Sequence, residues 1–162
     1  MQKITWREKF AAILVLLIGI LYLLWQVIDL SSTKSSAYMV KDDAILINKG
    51  ELFIHIRSLL TILLGFAGGI FLWKGRTAGW MLSVPLLILF LVFAAGGLVE
   101  LTKMRTFDAI FIFLTVCVAL LLLAVVFLFL PSARSTYRVG RITYLTTLVF
   151  LLILAAVYFF LQ

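Results

Sequence analysis

The chain has 162 residues, of which 65% are hydrophobic and 13% charged, and its mean hydropathy is +1.22. Soluble domains are about half apolar and about a quarter charged, so this composition excludes a water-soluble fold. The formal net charge of +7 does not indicate nucleic-acid binding, because the basic residues lie in short segments between apolar runs. We therefore expect the main partner of the protein surface to be a lipid bilayer.

Five uncharged or nearly uncharged runs are long enough to cross a bilayer as helices, since a hydrocarbon core of about 30 Å needs about 20 residues. In chain order they cover residues 10–28, 52–73, 78–99, 109–130 and 142–161. The first run is longer than the apolar part of a signal peptide and lacks a small-x-small cleavage site, although its removal would leave four spans. We predict that residues 1–162 form a single transmembrane domain, an all-α integral membrane protein with a five-span helical bundle.

The distribution of Lys and Arg predicts the orientation, because basic connections are retained on the cytoplasmic side. An N-terminus inside and a C-terminus outside puts eight basic residues inside and five outside. The inner ones are Lys3, Arg7, Lys9, Lys74, Arg76, Arg134, Arg138 and Arg141, and the outer ones are Lys34, Lys41, Lys49, Lys103 and Arg105. The predicted location is the plasma membrane, which is the inner membrane of a bacterium, with multiple passes.

The longest connection covers residues 30–50 on the outer side. Two short apolar segments in it flank Lys41, Asp42 and Asp43, a pattern that is typical of strand, turn and strand. An extended loop fits the pattern equally well. A lone hairpin is marginally stable in water, so it would need support from the bundle or from a partner.

Small and polar residues recur every three or four positions in the first span. They are Ala12, Val15, Gly19, Tyr22, Gln26 and Asp29. This spacing places them along one side of a helix, with the polar members toward the outer end. We favour a packing seam over a ligand site, because small and polar residues commonly mediate helix contacts in membranes.

Glycines mark predicted packing positions in three spans. Gly65 and Gly69 form a GxxxG pair in the second span, for which we favour packing within the chain over dimerisation. Gly96 and Gly97 precede Glu100 in the third span and leave space beside its carboxylate. The predicted helix-packing positions are Gly19, Gly65, Gly69, Gly96 and Gly97.

Arg57 is the one full charge inside an apolar run, and it lies near the outer boundary of the second span. Two interpretations are equally good: its guanidinium reaches the interface by snorkelling, or it pairs with an acid. The candidate acids are Asp29, Glu51, Glu100 and Asp108. His55 is the only histidine, which excludes multi-histidine metal sites and bis-histidine haem. We predict no metal site and no cofactor.

The fourth span and the connection after it show two further patterns. Asp108 suits the N-cap of the fourth span, which lacks glycine and is predicted to be the most lipid-exposed. Arg134, Arg138 and Arg141 would share one face if residues 131–141 were helical, and they are candidates for contact with anionic lipid headgroups. Positive-inside retention alone also accounts for these arginines.

The candidate binding residues all belong to the outer half of the bundle. They are Tyr22, Gln26, Asp29, His55, Arg57 and Glu100. Our first hypothesis is a non-enzymatic accessory, assembly or partner-binding subunit that uses this polar rim and the 30–50 loop to hold a membrane-protein partner or a second copy.

Two other functions compete with the accessory subunit. The alternative hypothesis is a small transporter, an oligomeric channel or a ligand-binding bundle with Asp29, Glu100, Arg57 and His55 lining an outer cavity. The third and least favoured is an intramembrane enzyme that acts on a lipid with His55 as acid or base, which requires a carboxylate within one water of the imidazole.

Overall fold

The computed structural model of the chain describes residues 4–31, 38–41, 44–47, 49–104 and 108–160. Their elements, in chain order, are α1 Trp6–Ser31, β1 Tyr38–Lys41, β2 Ala44–Ile47, α2 Lys49–Trp73, α3 Thr77–Lys103, α4 Ala109–Phe129, α5 Pro131–Thr136 and α6 Arg141–Phe160. Five of these helices, all except α5, are long and apolar enough to cross a membrane. The predicted helical bundle is confirmed, and it is compatible with a multi-pass membrane protein.

Local sequence signals account for several helix ends. The Glu8 carboxylate accepts from the backbone N–H of Thr5 at 2.8 Å, which is one half of a capping box at the start of α1. Asp108 accepts from the backbone N–H groups of Ile110 and Phe111 at 3.2 and 3.1 Å, so the predicted N-cap of α4 is confirmed. Helix α3 continues through Pro85 without interruption.

The turn between α2 and α3 depends on a glycine in a left-handed conformation. Gly75 has φ +66°, and the N–H groups of Gly75 and Arg76 donate to the carbonyls of Leu72 and Phe71. These two bonds form a Schellman motif, in which the left-handed position favours glycine because it has no Cβ. The turn directs α3 back along α2.

Helix α3 packs against α2, α4 and α6, while α1 packs against α2 and α4. Where α1 crosses α2, Gly19 faces Gly65 so closely that a Cβ on Gly65 would lie 2.7 Å from the Cα of Gly19. The outside of the bundle is covered by large apolar side chains. Helix α4 has the smallest buried share of the five long helices, which agrees with the prediction that it is the most exposed.

The connection between α1 and α2 contains a short hairpin. Strands β1 and β2 pair antiparallel, with Tyr38 opposite Ile47 and Lys41 opposite Ala44. The sequence allowed a hairpin or an extended loop here, and the described backbone forms the hairpin. Asp42 and Asp43 lie outside the described residues. We call the end of the bundle where α1 ends and α2 begins the hairpin end, and the end where α2 ends and α3 begins the basic end.

The tightly packed core lies toward the basic end. Trp80 is fully buried, and its indole N–H donates to the carbonyl of Leu128 at 3.0 Å. The hydroxyl of buried Tyr137 donates to the carbonyl of Leu72 at 3.1 Å. Burial, and secondarily the charge of Glu8, raises the pKa of Tyr137, so its hydroxyl stays neutral and keeps its proton for this bond.

Candidate functional site

A cleft opens between α1, α2, α3 and α6 in the half of the bundle nearer the hairpin end, and we call it the aromatic cleft. Its volume is about 630 Å³, within the range of about 300–1,000 Å³ that small-molecule sites occupy. Five of its lining side chains are aromatic and only Arg57 carries a full charge. The lining residues are Leu21, Tyr22, Trp25, Ile54, Arg57, Ser58, Phe90, Phe93 and Tyr158.

Aromatic contacts between helices shape the walls of the cleft. The ring of Tyr22 on α1 meets that of Phe90 on α3 edge to face, with centroids 5.4 Å apart. Phe93, one turn further along α3, lies 6.0 Å from the ring of Tyr158 on α6. Such pairs add a directional contribution to apolar packing, and here they hold three helices around one space.

Arg57 lies half-buried in this cleft. Its guanidinium carbon is 5.9 Å from the centroid of the Tyr158 ring, a distance that allows a cation–π interaction. Among the described side chains no carboxylate lies within salt-bridge distance of it, so the predicted pairs with Asp29, Glu100 and Asp108 are not formed. The side chain of Glu51, the fourth candidate, lies outside the described part of the chain.

Hydrogen bonds around the backbone of Arg57 attach α6 to α2. The Thr61 hydroxyl donates to the Arg57 carbonyl at 2.9 Å, and the hydroxyls of Thr61 and Tyr158 are hydrogen-bonded to each other. Thr61 and Tyr158 are both almost fully buried. This network fixes the aromatic ring over which the guanidinium sits.

A second polar group joins α1 to α2 near the hairpin end. The Gln26 amide nitrogen and Nδ1 of His55 are hydrogen-bonded at 2.6 Å. The same Nδ1 lies 3.9 Å from a carboxylate oxygen of Asp29. This distance meets the geometric condition of the enzyme hypothesis, although none of the three residues lines the aromatic cleft.

Glu100 lies apart from the other polar candidates. Its exposed carboxylate pairs with Lys103 of the same helix at 2.8 Å. Of the four residues predicted to line an outer cavity, Arg57 lines the aromatic cleft, whereas Asp29, Glu100 and His55 do not. Within the described residues no group of three His, Cys, Asp or Glu side chains is placed to hold a metal ion.

The glycines named from the sequence have different surroundings. Gly19 and Gly65 meet at the crossing of α1 and α2, and Gly69 lies against Leu16 of α1. Gly97 lies near Leu114 of α4, whereas a Cβ on Gly96 would meet no described atom within 4 Å.

The three arginines of the 131–141 connection do not share a helix face. Helix α5 ends at Thr136, and Arg138 has a left-handed backbone with φ +50°. Arg134 lies over the Tyr144 ring at 5.7 Å, and Arg141 begins α6. The predicted common face required residues 131–141 to be helical throughout, and they are not.

Several residues of the aromatic cleft were not identified from the sequence as site residues. Phe90 and Phe93 lie in an unbroken apolar run, and the site residues were predicted from polar groups. The signal that could have found them is their aromatic spacing of three, which places both rings on one side of α3.

Comparison of the chain with protein-family models, curated proteins and solved structures gives no match.

Proposed function

We propose that this protein is a multi-pass protein of the plasma membrane, with its N-terminus inside, that binds an amphipathic anion in the aromatic cleft. The observation that carries the proposal is Arg57, a cation in an otherwise apolar and aromatic cleft with no described carboxylate in pairing distance. A carboxylate or phosphate on the ligand would supply the missing counter-charge. The inner excess of basic residues supports this orientation, which opens the cleft toward the outer leaflet.

The energetics of Arg57 favour an anionic ligand. An arginine at the centre of a span costs about 2.5–3.5 kcal/mol on insertion scales, and Arg57, which lies nearer the predicted outer boundary, has a smaller cost. A cation–π contact with Tyr158 offsets part of it. A guanidinium also offers five N–H donors in a planar fork that matches a carboxylate or a phosphate. An anion in the cleft would therefore form charge-assisted hydrogen bonds where water is scarce.

The rest of the cleft suits an apolar tail. Leu21, Trp25 and Ile54 line it beside Arg57, and their exposed apolar surfaces are continuous with the lipid-facing outside of the bundle. A ligand could therefore enter sideways from the bilayer, with its charged group at Arg57 and its chain along these residues. This arrangement favours a lipid-like molecule over a small water-soluble anion.

The ligand-binding hypothesis takes precedence over the accessory-subunit hypothesis for a geometric reason. The cleft brings charge and apolar surface together from four helices. Much of the 30–50 loop lies outside the described residues, and the polar rim divides into the Gln26–His55 pair and the separate Glu100–Lys103 pair.

Equilibrium binding of a single-chain amphiphile tests the proposal. The protein is placed in phosphatidylcholine nanodiscs, and binding of radiolabelled palmitate is measured with empty nanodiscs subtracted. We expect Arg57→Gln to weaken palmitate binding about tenfold or more, because a charge-assisted hydrogen bond is lost. Hexadecanol, which has the same chain without the charge, should bind both proteins equally.

Lys103→Gln is the matched control, since it removes one positive charge at the same end of the bundle but outside the cleft. It should leave palmitate binding within twofold of the wild type. Equal palmitate binding by the wild type and Arg57→Gln would refute the proposal, as would an equal loss in both variants.

A further inference from the structure

A second cleft lies at the basic end of the bundle, between the α2–α3 turn and the α5–α6 connection, and we call it the basic cleft. Its volume is about 920 Å³. Three cationic side chains line it, those of Lys74, Arg76 and Arg138, together with the hydroxyl residues Thr77, Ser135 and Thr136. It shares no lining residue with the aromatic cleft.

The cations of the basic cleft have no carboxylate counter-charge among the described residues. The only acid in this part of the sequence is Glu8, which is buried and accepts from the Thr5 backbone. No salt bridge joins it to Lys74, Arg76 or Arg138 within the described chain. Like charges brought together from two separate connections repel one another, so an anion between them would be stabilised.

The backbone of Arg138 is evidence independent of charge. The N–H groups of Arg138 and Val139 donate to the carbonyls of Ser135 and Arg134, which is the Schellman motif seen at Gly75, but with arginine at the left-handed position. This conformation is costly for a residue with a Cβ. A strained arginine that lines a cleft points to a function for its side chain.

The start of α3 adds positive potential to the same place. The 27-residue helix has Arg76 at its N-cap with no side-chain hydrogen bond to the cap. The helix dipole places partial positive charge at this end, next to the hydroxyl of Thr77. The hydroxyls of Thr77, Ser135 and Thr136 donate to the backbone carbonyls of Tyr137 and Ser132. The arginine forks and the helix N-terminus are therefore the elements of the cleft that suit a phosphate.

We infer that the basic cleft binds the phosphate of an anionic phospholipid headgroup. A lipid is favoured over free phosphate because Trp73 and Ile4 add apolar walls to the cleft, and tryptophan at the end of a span is typical of the headgroup level. The inference is independent of the proposed function, since the two clefts lie at opposite ends of the bundle.

Native mass spectrometry with dioleoyl phosphatidylglycerol as the probe tests the inference. All proteins carry Arg57→Gln, so that the aromatic cleft contributes equally to each measurement. We expect Arg138→Gln to weaken retention of the lipid about tenfold, the loss expected for one charge-assisted contact. Arg7→Gln, which makes the same charge change at the same end of the bundle but outside the cleft, should change retention by less than twofold.

Arg138→Gly separates binding from structure. Because glycine tolerates a left-handed backbone, this variant should raise Tm by about 2 °C while it lowers lipid retention as Arg138→Gln does. Equal losses in the Arg138→Gln and Arg7→Gln variants, or unchanged retention in both, would overturn the inference. Displacement of the lipid by millimolar inorganic phosphate would overturn the lipid assignment and identify a free-phosphate site.

Discussion

Trp80 is the single side chain whose replacement should destabilise the bundle most clearly. Its indole N–H donates to the carbonyl of Leu128 at 3.0 Å, in the last turn of α4, where carbonyls lack a helical donor. Trp80→Phe keeps an aromatic ring but leaves this buried carbonyl without its donor. We expect a loss of about 1–3 kcal/mol in the free energy of unfolding, measured by detergent titration in mixed micelles.

Trp25→Phe is the control at the residue scale, because Trp25 is 65% exposed. It should change the free energy of unfolding by less than about 0.5 kcal/mol. Similar losses in the two variants would mean that ring size, and not the hydrogen bond of Trp80, determines the effect.

At the scale of the elements, the crossing of α1 and α2 depends on glycine. A Cβ on Gly65 would lie 2.7 Å from the Cα and 2.9 Å from the nitrogen of Gly19, so Gly65→Ala forces the two helices apart. We expect it to destabilise the bundle by about 1–3 kcal/mol, the usual cost of overpacking. The same detergent titration measures this loss.

Gly96→Ala provides the opposite expectation on α3. A Cβ there would meet no described atom within 4 Å, and alanine stabilises a helix interior by about 0.5–1 kcal/mol relative to glycine. Unchanged or raised stability in Gly96→Ala, with lowered stability in Gly65→Ala, would assign the effect to the crossing. A loss in both would contradict it.

For the molecule as a whole, the proposed orientation makes opposite ends accessible from opposite sides of the membrane. Single cysteines can be placed at the two ends in a Cys117→Ala background, Met104→Cys at the hairpin end and Ser132→Cys at the basic end. Both positions are exposed. We expect a membrane-impermeant maleimide to label Met104→Cys on intact cells and Ser132→Cys only after permeabilisation, as the positive-inside rule requires.

The reverse labelling pattern would place the N-terminus outside and the aromatic cleft in the inner leaflet. Labelling of both cysteines on intact cells would contradict the proposed topology, because α4 is the one long apolar helix between these two positions. Ligand binding by Arg57 would remain to be tested separately, because it does not depend on which side the cleft faces.

Features that depend on neighbours in sequence were predictable. The long helices follow from apolar runs that lipid permits only as helix, and the N-cap at Asp108 follows from its place before such a run. Which polar residues meet in the aromatic cleft was not predictable: Arg57 lines it, whereas Glu100 pairs with Lys103 on the same helix and does not. The shared face of the 131–141 arginines failed because α5 ends at Thr136.

Sequence alone determined that this chain forms apolar helices of bilayer length. An apolar run in lipid must satisfy its own backbone hydrogen bonds, and a helix does so within one segment. Only the tertiary structure decided which helices are neighbours. Arg57 and Tyr158 are 101 residues apart in sequence, and they meet because α2, α3 and α6 pack around one cleft. Hydropathy contains no information on this lateral order, because in lipid the apolar faces of all five helices are equally soluble and only the detailed shapes of side chains select partners.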